Sequence, residues 1–299
     1  MIFFDDEMKN TAREYANDHE KTNLPFGMLC VNHHYLLGGK SPSVFYVAAC
    51  VELIILAFNI LDDYQDQDNH QPPWMQDPAG QSLTVETAFL LLAMSKLNGL
   101  LGSQKNNLPF QLIVDQINRS VHGQFADIRN MPLKEKEYIE VIKRKSGALC
   151  ALACLCGAML AGNTIDIRLI GDYAAKIGIY AQLENDLQDV LHLGEKNDLI
   201  RKKWTLATMY LAHHPSRIGK AVASYFENRL PLDRLLAIQS LEAWIQSSGV
   251  ILYTNVLIET EKIKAKNIVD KLSVDKTIKR QIKSFVDGIH AKADISEET

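Results

Sequence analysis

The chain has 299 residues, 47% of them hydrophobic, enough to bury a substantial core. Its 32 Lys and Arg against 36 Asp and Glu leave a formal net charge of −4, so there is no basic surplus for following a nucleic-acid backbone, and nucleic acid is set aside as a partner. Five cysteines, an odd number without a Cys-x-x-Cys pair, read as buried thiols in a reducing cytoplasm rather than as a disulfide or metal framework.

The first residues, Met1-Ile2-Phe3-Phe4-Asp5-Asp6-Glu7, lack the basic start and apolar stretch of a signal peptide. The apolar runs that follow read as too short or too interrupted to span a bilayer, so a soluble, cytoplasmic protein is expected. Apolar residues recur at intervals of three and four, as in 88–94 and again at Leu235, Leu236, Ile238, Leu241 and Trp244, while strand-like alternation is scarce. The pattern predicts an all-α protein. Pro25, Pro42, Pro72, Pro73, Pro78, Pro109, Pro132, Pro215 and Pro231 all suit connections or first helical turns and divide the chain into about ten helices. No repeat or interdomain linker interrupts them, so residues 1–299 read as one domain, with 292–299 a frayed tail.

Val51 to Leu61 is almost wholly apolar and then ends abruptly in Asp62, Asp63 and Asp66. Asp62 and Asp66 are four residues apart and share one helical face, where like charges destabilise unless something neutralises them. A solvated helix end is one reading of such a cluster and a metal site the other. The stretch 67–80 beyond it is polar and proline-rich, and reads as a loop placed to act as a lid or to touch an acceptor. A second cluster favours the metal. Asn185-Asp186-Leu187-Gln188-Asp189 again ends an apolar helix, with oxygen ligands Asn185 and Asp189 four apart. Mg²⁺ takes such oxygens and shares its remaining positions with water and substrate phosphates, so two facing helices of this kind would hold Mg²⁺ ions, Asp63 and Asp186 included among the candidate ligands, around a diphosphate.

With these motifs the chain resembles the trans-isoprenyl diphosphate synthase family of class I terpenoid enzymes, from about Gly38 to about Leu206. The matching segments come in the family's order: Gly38-Gly39-Lys40, Glu52, the first aspartate motif, Gly123-Gln124 with Asp127, Lys145-Ser146, Gln182 with the second motif, and Lys203-Trp204-Thr205-Leu206. The resemblance implies a helical bundle with a central cavity, both motifs at its mouth, and three Mg²⁺ ions bridging them to the diphosphate. It further implies that Asp62, Asp66, Asn185 and Asp189 ligate metal, that Lys145, Lys203 and Lys40 contact phosphate, and that Gln124, Asp127 and Gln182 support them. Lys196 is a further candidate, in a segment that is short for the family. Phe58, four residues before the first motif, is either ordinary core or the floor that limits the prenyl tail to geranyl or farnesyl length. A homodimer is implied as well.

Chain-elongating members hold isopentenyl diphosphate through arginines and a histidine, and the corresponding positions here read Ser41, Ser43 and Ile55. Each missing charge-assisted contact costs about 1.5–3 kcal/mol, so that acceptor is disfavoured. The combination resembles the branch of the family that prenylates a tryptophan of a small pheromone precursor peptide, a modification used in quorum sensing and competence. A terpene cyclase, a short-chain synthase and a non-catalytic subunit stand as alternatives. The hydrophobic donor implies at most transient membrane contact.

Overall fold

The computed structural model describes residues 6–67, 69–101, 108–131, 134–163, 166–191 and 197–288. Among them there is no strand, and the elements are fifteen α-helices and one π-helical turn. The additional helices relative to the expected ten are short ones that end at prolines or at breaks in the apolar pattern.

The N-terminal half is built on a hairpin. Helix α1, Asp6–Glu20, leads into α2, Pro25–Leu36, with Pro25 in its first turn where a missing N–H costs nothing. Gly38, at φ 83°, supplies the left-handed turn into α3, Val44–Asp66. Glu52 joins the three: it accepts from the Gly27 amide at 2.5 Å and pairs with His19 Nε2 at 2.8 Å, so its buried charge is met from both sides. Gln67, left-handed at φ 54°, ends α3 one residue past the aspartates.

The expected loop 67–80 is partly helical, and this is a correction. Pro73–Gln76 forms α4 and Ala79–Leu101 forms α5, because Trp74 is buried against Tyr15 of α1 and pulls the segment onto the bundle. Tyr15, Leu56, Ala57, Ile60 and Phe89 complete that small core.

Helix α6, Leu108–Ile128, and α7, Glu135–Ile142, lead into a π-helical turn, Lys143–Gly147, which continues directly as α8, Ala148–Leu160. Helix α9, Ile167–Leu191, packs along α8. The main core lies among α2, α3, α8 and α9 and includes all five cysteines, none of which is disulfide-bonded. Each fully buried Ile or Leu there contributes about 1.5–3 kcal/mol.

The C-terminal helices are α10, Leu206–His213; α11, Arg217–Phe226; α12, Leu232–Leu236; α13, Leu241–Ser247; α14, Val250–Val269; and α15, Lys276–Asp287. The apolar spacing from Leu235 to Trp244, which predicts one helix, is shared between α12 and α13, since Leu235 and Leu241 both turn into a second core built with Val222, Tyr225 and Phe226. Helices α3 and α5, each 23 residues, are by length and composition long and apolar enough to cross a membrane, contrary to the reading of short apolar runs. Helix α3 is the bundle's central core helix, whereas most of the apolar stretch of α5 is not buried. The expected tail 292–299 lies outside the described residues.

Candidate active site

The C-terminal turn of α3 presents its three aspartates to different neighbours. Asp62 accepts from Gln124 Nε2 of α6 and from Lys145 Nζ of the π-helical turn, the latter at 3.2 Å. Asp66, one turn on, pairs with Lys203 Nζ at 3.3 Å, and its backbone carbonyl accepts from Arg201 at 2.6 Å. Asp63 lies about 100° round the helix from Asp62 and accepts from the Trp74 indole at 2.8 Å.

Lys145 reaches this place because backbones touch. A Cβ on Gly123 of α6 would overlap the amide of Lys145, and one on Gly178 of α9 would overlap the carbonyl of Ser146, so the π-helical turn is gripped between two glycines. Such turns often mark functional sites because they redirect a side chain out of the regular helix. Asp127 bridges the two lysines, 2.7 Å from Lys145 and 3.9 Å from Lys203. Burial disfavours charge on all three, but their mutual attraction outweighs it: both lysine pKa values are pushed up and that of Asp127 is held down.

Lys203 itself is aimed from behind. The side chain of Asn130, just past α6, donates to the carbonyl of Lys202 at 2.9 Å and accepts from the amide of Trp204 at 2.7 Å. Lys202 takes a left-handed φ of 57° between them.

The second motif divides by face. Asp186 is buried on α9, one oxygen accepting from Tyr138 OH of α7 and the other from Gln182 Nε2 at 2.9 Å; Ser146 donates to Gln182 Oε1 at 2.6 Å. Asn185 and Asp189 are exposed, four residues apart, on the other face. Burial raises the pKa of Asp186 to about 6 against those hydrogen bonds, and raises that of Asp198, near Lys203, Asp186 and Asp189, to about 8. The interior thus holds carboxyl groups in excess of its lysines.

That excess fits a hard divalent cation: the donors are oxygens, and among the described residues no sulfur or imidazole joins them. Among the described residues no three His, Cys, Asp or Glu side chains form a metal cage by themselves, and Mg²⁺, which keeps waters and phosphate oxygens, does not need one. From α3 Asp62 and Asp66 would be available to such a cation, and from α9 the exposed Asn185 and Asp189, while both oxygens of Asp186 are already engaged by protein donors.

Two candidates fall elsewhere. Lys40 precedes α3, and about 27 Å of helix separates Val44 from Asp62, so Lys40 lies at the opposite end of the bundle from the aspartates. Lys196 lies outside the described residues. Phe58 is half-buried against the main core, one turn before Asp62. Gln124, Lys145 and Lys203 are drawn onto the aspartates of α3 and Asp127, and grooves of about 790, 610, 520 and 270 Å³ are lined by other residues. Trp74, Asn130, Tyr138 and Arg201 were not singled out from the sequence, where they stand 11 to 135 residues from their site partners and no local pattern joins them.

Residues 5–230 match the polyprenyl synthetase family. The chain is 29% identical over 271 residues to tryptophan prenyltransferase ComQ of Bacillus subtilis (strain 168), covering 90% of this chain and 89% of that one. It is 34% identical over 193 residues to the enzyme of the same name from Bacillus spizizenii, 64% of this chain and 67% of that one, and 32% identical over 165 residues to a geranylgeranyl diphosphate synthase of Sulfolobus acidocaldarius, covering about half of each. Its fold superposes on a crystal structure of a geranylgeranyl pyrophosphate synthase with a TM-score of 0.78 over 95% of both chains, at 18% identity.

Proposed function

Because the chain belongs to the polyprenyl synthetase family, we propose that it ionises geranyl or farnesyl diphosphate and passes the prenyl group to a tryptophan of a small pheromone precursor peptide, in quorum sensing and competence. The observation that carries the donor half is the pairing of Asp62 and Asp66 with Lys145 and Lys203 across the bundle. Likeness to ComQ over most of the chain supports the acceptor half.

The lysines are held by carboxylates that a diphosphate replaces. Lys145 and Lys203, kept charged by Asp127, then face the leaving oxygens and stabilise negative charge as it develops there. Asp62, Asp66, Asn185 and Asp189 would hold Mg²⁺, up to three ions, which would supply Lewis-acid stabilisation of the same leaving group. Gln124 fixes the rotamer of Asp62, and Asp186 with Tyr138 fixes Gln182. The allylic C–O bond breaks with its electron pair leaving on the diphosphate. Apolar side chains of α3, Phe58 included, keep water from the cation. The electron-rich C3 of an indole forms the new C–C bond, and the peptide nitrogen closes on C2 and gives up its proton to the departed diphosphate.

In this reading the protein is a cytoplasmic homodimer with at most transient membrane contact. Val121, Phe125 and Ile128 on the outer face of α6, with Leu91 of α5, are exposed apolar residues that suit the dimer interface. The test is mass spectrometry of a tryptophan-containing precursor peptide after incubation with the protein, Mg²⁺ and each donor, with and without EDTA. A prenyl mass on tryptophan, lost with EDTA, is the expected result. Elongation of the donor by isopentenyl diphosphate in place of peptide modification would support the synthase reading that the geranylgeranyl diphosphate synthase likeness favours.

A further inference from the structure

Helix α1 and Lys21 just beyond its end gather polar residues into one stripe. Asn10, Arg13, Glu14, Asn17, Asp18 and Lys21 follow the three- and four-residue spacing of a single helical face, and they form one wall of a groove of about 610 Å³. Gln71, Pro73, Gln76 and Asp77, just beyond the first aspartate motif, form the other wall. Both walls are fastened to that motif. Tyr15, on the buried face of α1, donates to Asp77 at 2.6 Å and meets Trp74 edge-on. Trp74 in turn donates to Asp63, and Tyr64 donates to the Trp74 carbonyl at 2.5 Å. Trp74 thus links the elements of both walls to Asp63 of the first motif.

The groove is unsuited to a second diphosphate. Its two cations, Arg13 and Lys21, are outnumbered by Glu14, Asp18 and Asp77, and Lys21 is already paired with Asp18 at 2.6 Å. A polyanion would meet uncompensated carboxylates. Amides are what it offers instead. The side-chain amides of Asn10, Asn17 and Gln71 make no hydrogen bond among the described residues, and a side-chain amide both donates and accepts, as an extended peptide backbone requires of its partners.

Resting on the reading of the chain as a peptide-modifying transferase, we propose that this groove binds the backbone of the acceptor peptide next to its reactive tryptophan and selects neutral or basic sequences over acidic ones. The wall of residues 71–77 begins five residues past Asp66, which keeps a bound peptide beside the first aspartate motif.

The test uses the full chain, farnesyl or geranyl diphosphate, and three synthetic peptides with one central tryptophan, differing only in being acidic, neutral or basic. The wild-type chain is expected to show the highest KM for the acidic peptide. Glu14→Lys with Asp18→Lys should lower that KM about tenfold and raise it for the basic peptide, whereas Arg13→Glu with Lys21→Glu should shift both the opposite way. Asp115→Lys with Asp172→Lys, in the separate groove between α6 and α9, should leave the preference as it is. All variants alter exposed or half-exposed side chains, and their melting temperatures report their integrity. Prenylation whose charge preference neither α1 variant moves overturns the groove and leaves the peptide reading standing. Failure of the wild-type chain to prenylate any of the three sinks both.

Discussion

Asn130 touches no catalytic atom, yet the position of Lys203 depends on it. Its amide clamps the backbone on both sides of that lysine, and the two bonds sit on an exposed surface, where each contributes about 1 kcal/mol to stability. Asn130→Ala is therefore expected to lower the thermal midpoint by a few degrees and, beyond that, to raise the KM for the allylic diphosphate about tenfold, because a displaced Lys203 meets the phosphates poorly. Diphosphate-release kinetics beside a melting curve checks this; a midpoint loss with unchanged KM would make Asn130 a merely structural residue. Asp62, Asp66, Lys145 and Lys203 could be found from sequence because each sits in a recognisable local pattern. Asn130, Tyr138 and Trp74 could not, since their roles exist only through contacts made by folding. Lys40 shows the converse: its motif could be read locally, but that one unbroken helix carries the chain about 27 Å from Val44 to Asp62 emerges only from the fold.

At the scale of elements, the π-helical turn works because its neighbours present glycine to it. Gly123→Ala would drive a methyl into the backbone of Lys145, with no flexible side chain to yield. Overpacking of this kind costs about 1–3 kcal/mol, and the melting temperature is expected to fall by about 5 °C, together with activity, since Lys145 moves with the turn. Gly99, in α5, has nothing within 4 Å of a built Cβ, so Gly99→Ala is the control and should hold or raise the midpoint. The existence of the long helices followed from the period of their apolar residues. Their breaks did not: α12 and α13 share one periodic run, and α4 forms where only polar loop residues were read, because burial of Trp74 and Leu235 is decided by distant partners.

For the whole molecule, stability should depend on acid through His33. The ring is fully buried between Tyr173 and Phe285, with Nδ1 bonded to the Leu29 carbonyl at 2.7 Å, and burial lowers its pKa to about 4 from an ordinary 6.5. Above pH 6.5 the folded and unfolded chains are both neutral there. As pH falls from 6.5 towards 4 the unfolded chain takes up a proton that the folded one refuses, so stability is lost across that window, by about 3 kcal/mol from this residue. Urea unfolding at pH 7 and pH 5 should show a lower midpoint at the acid value, and a shallower fall in His33→Phe. The all-α bundle around this ring was evident from composition and period, whereas the burial of a histidine at its centre was not, because histidine fits a surface as well as a core.

The burial of every cysteine gives the bundle a built-in stopwatch. Burial raises the thiol pKa values of Cys30 and Cys150 to about 12 and of Cys50 to about 11, so the folded chain shows an alkylating reagent neither access nor thiolate. Labels then accumulate only while the molecule is open. Intact-mass spectra recorded over time should show chains with either no label or five if the core opens as one body. A population with three labels would instead reveal α8, which carries Cys150, Cys154 and Cys156, parting from α2 and α3 as a unit of its own.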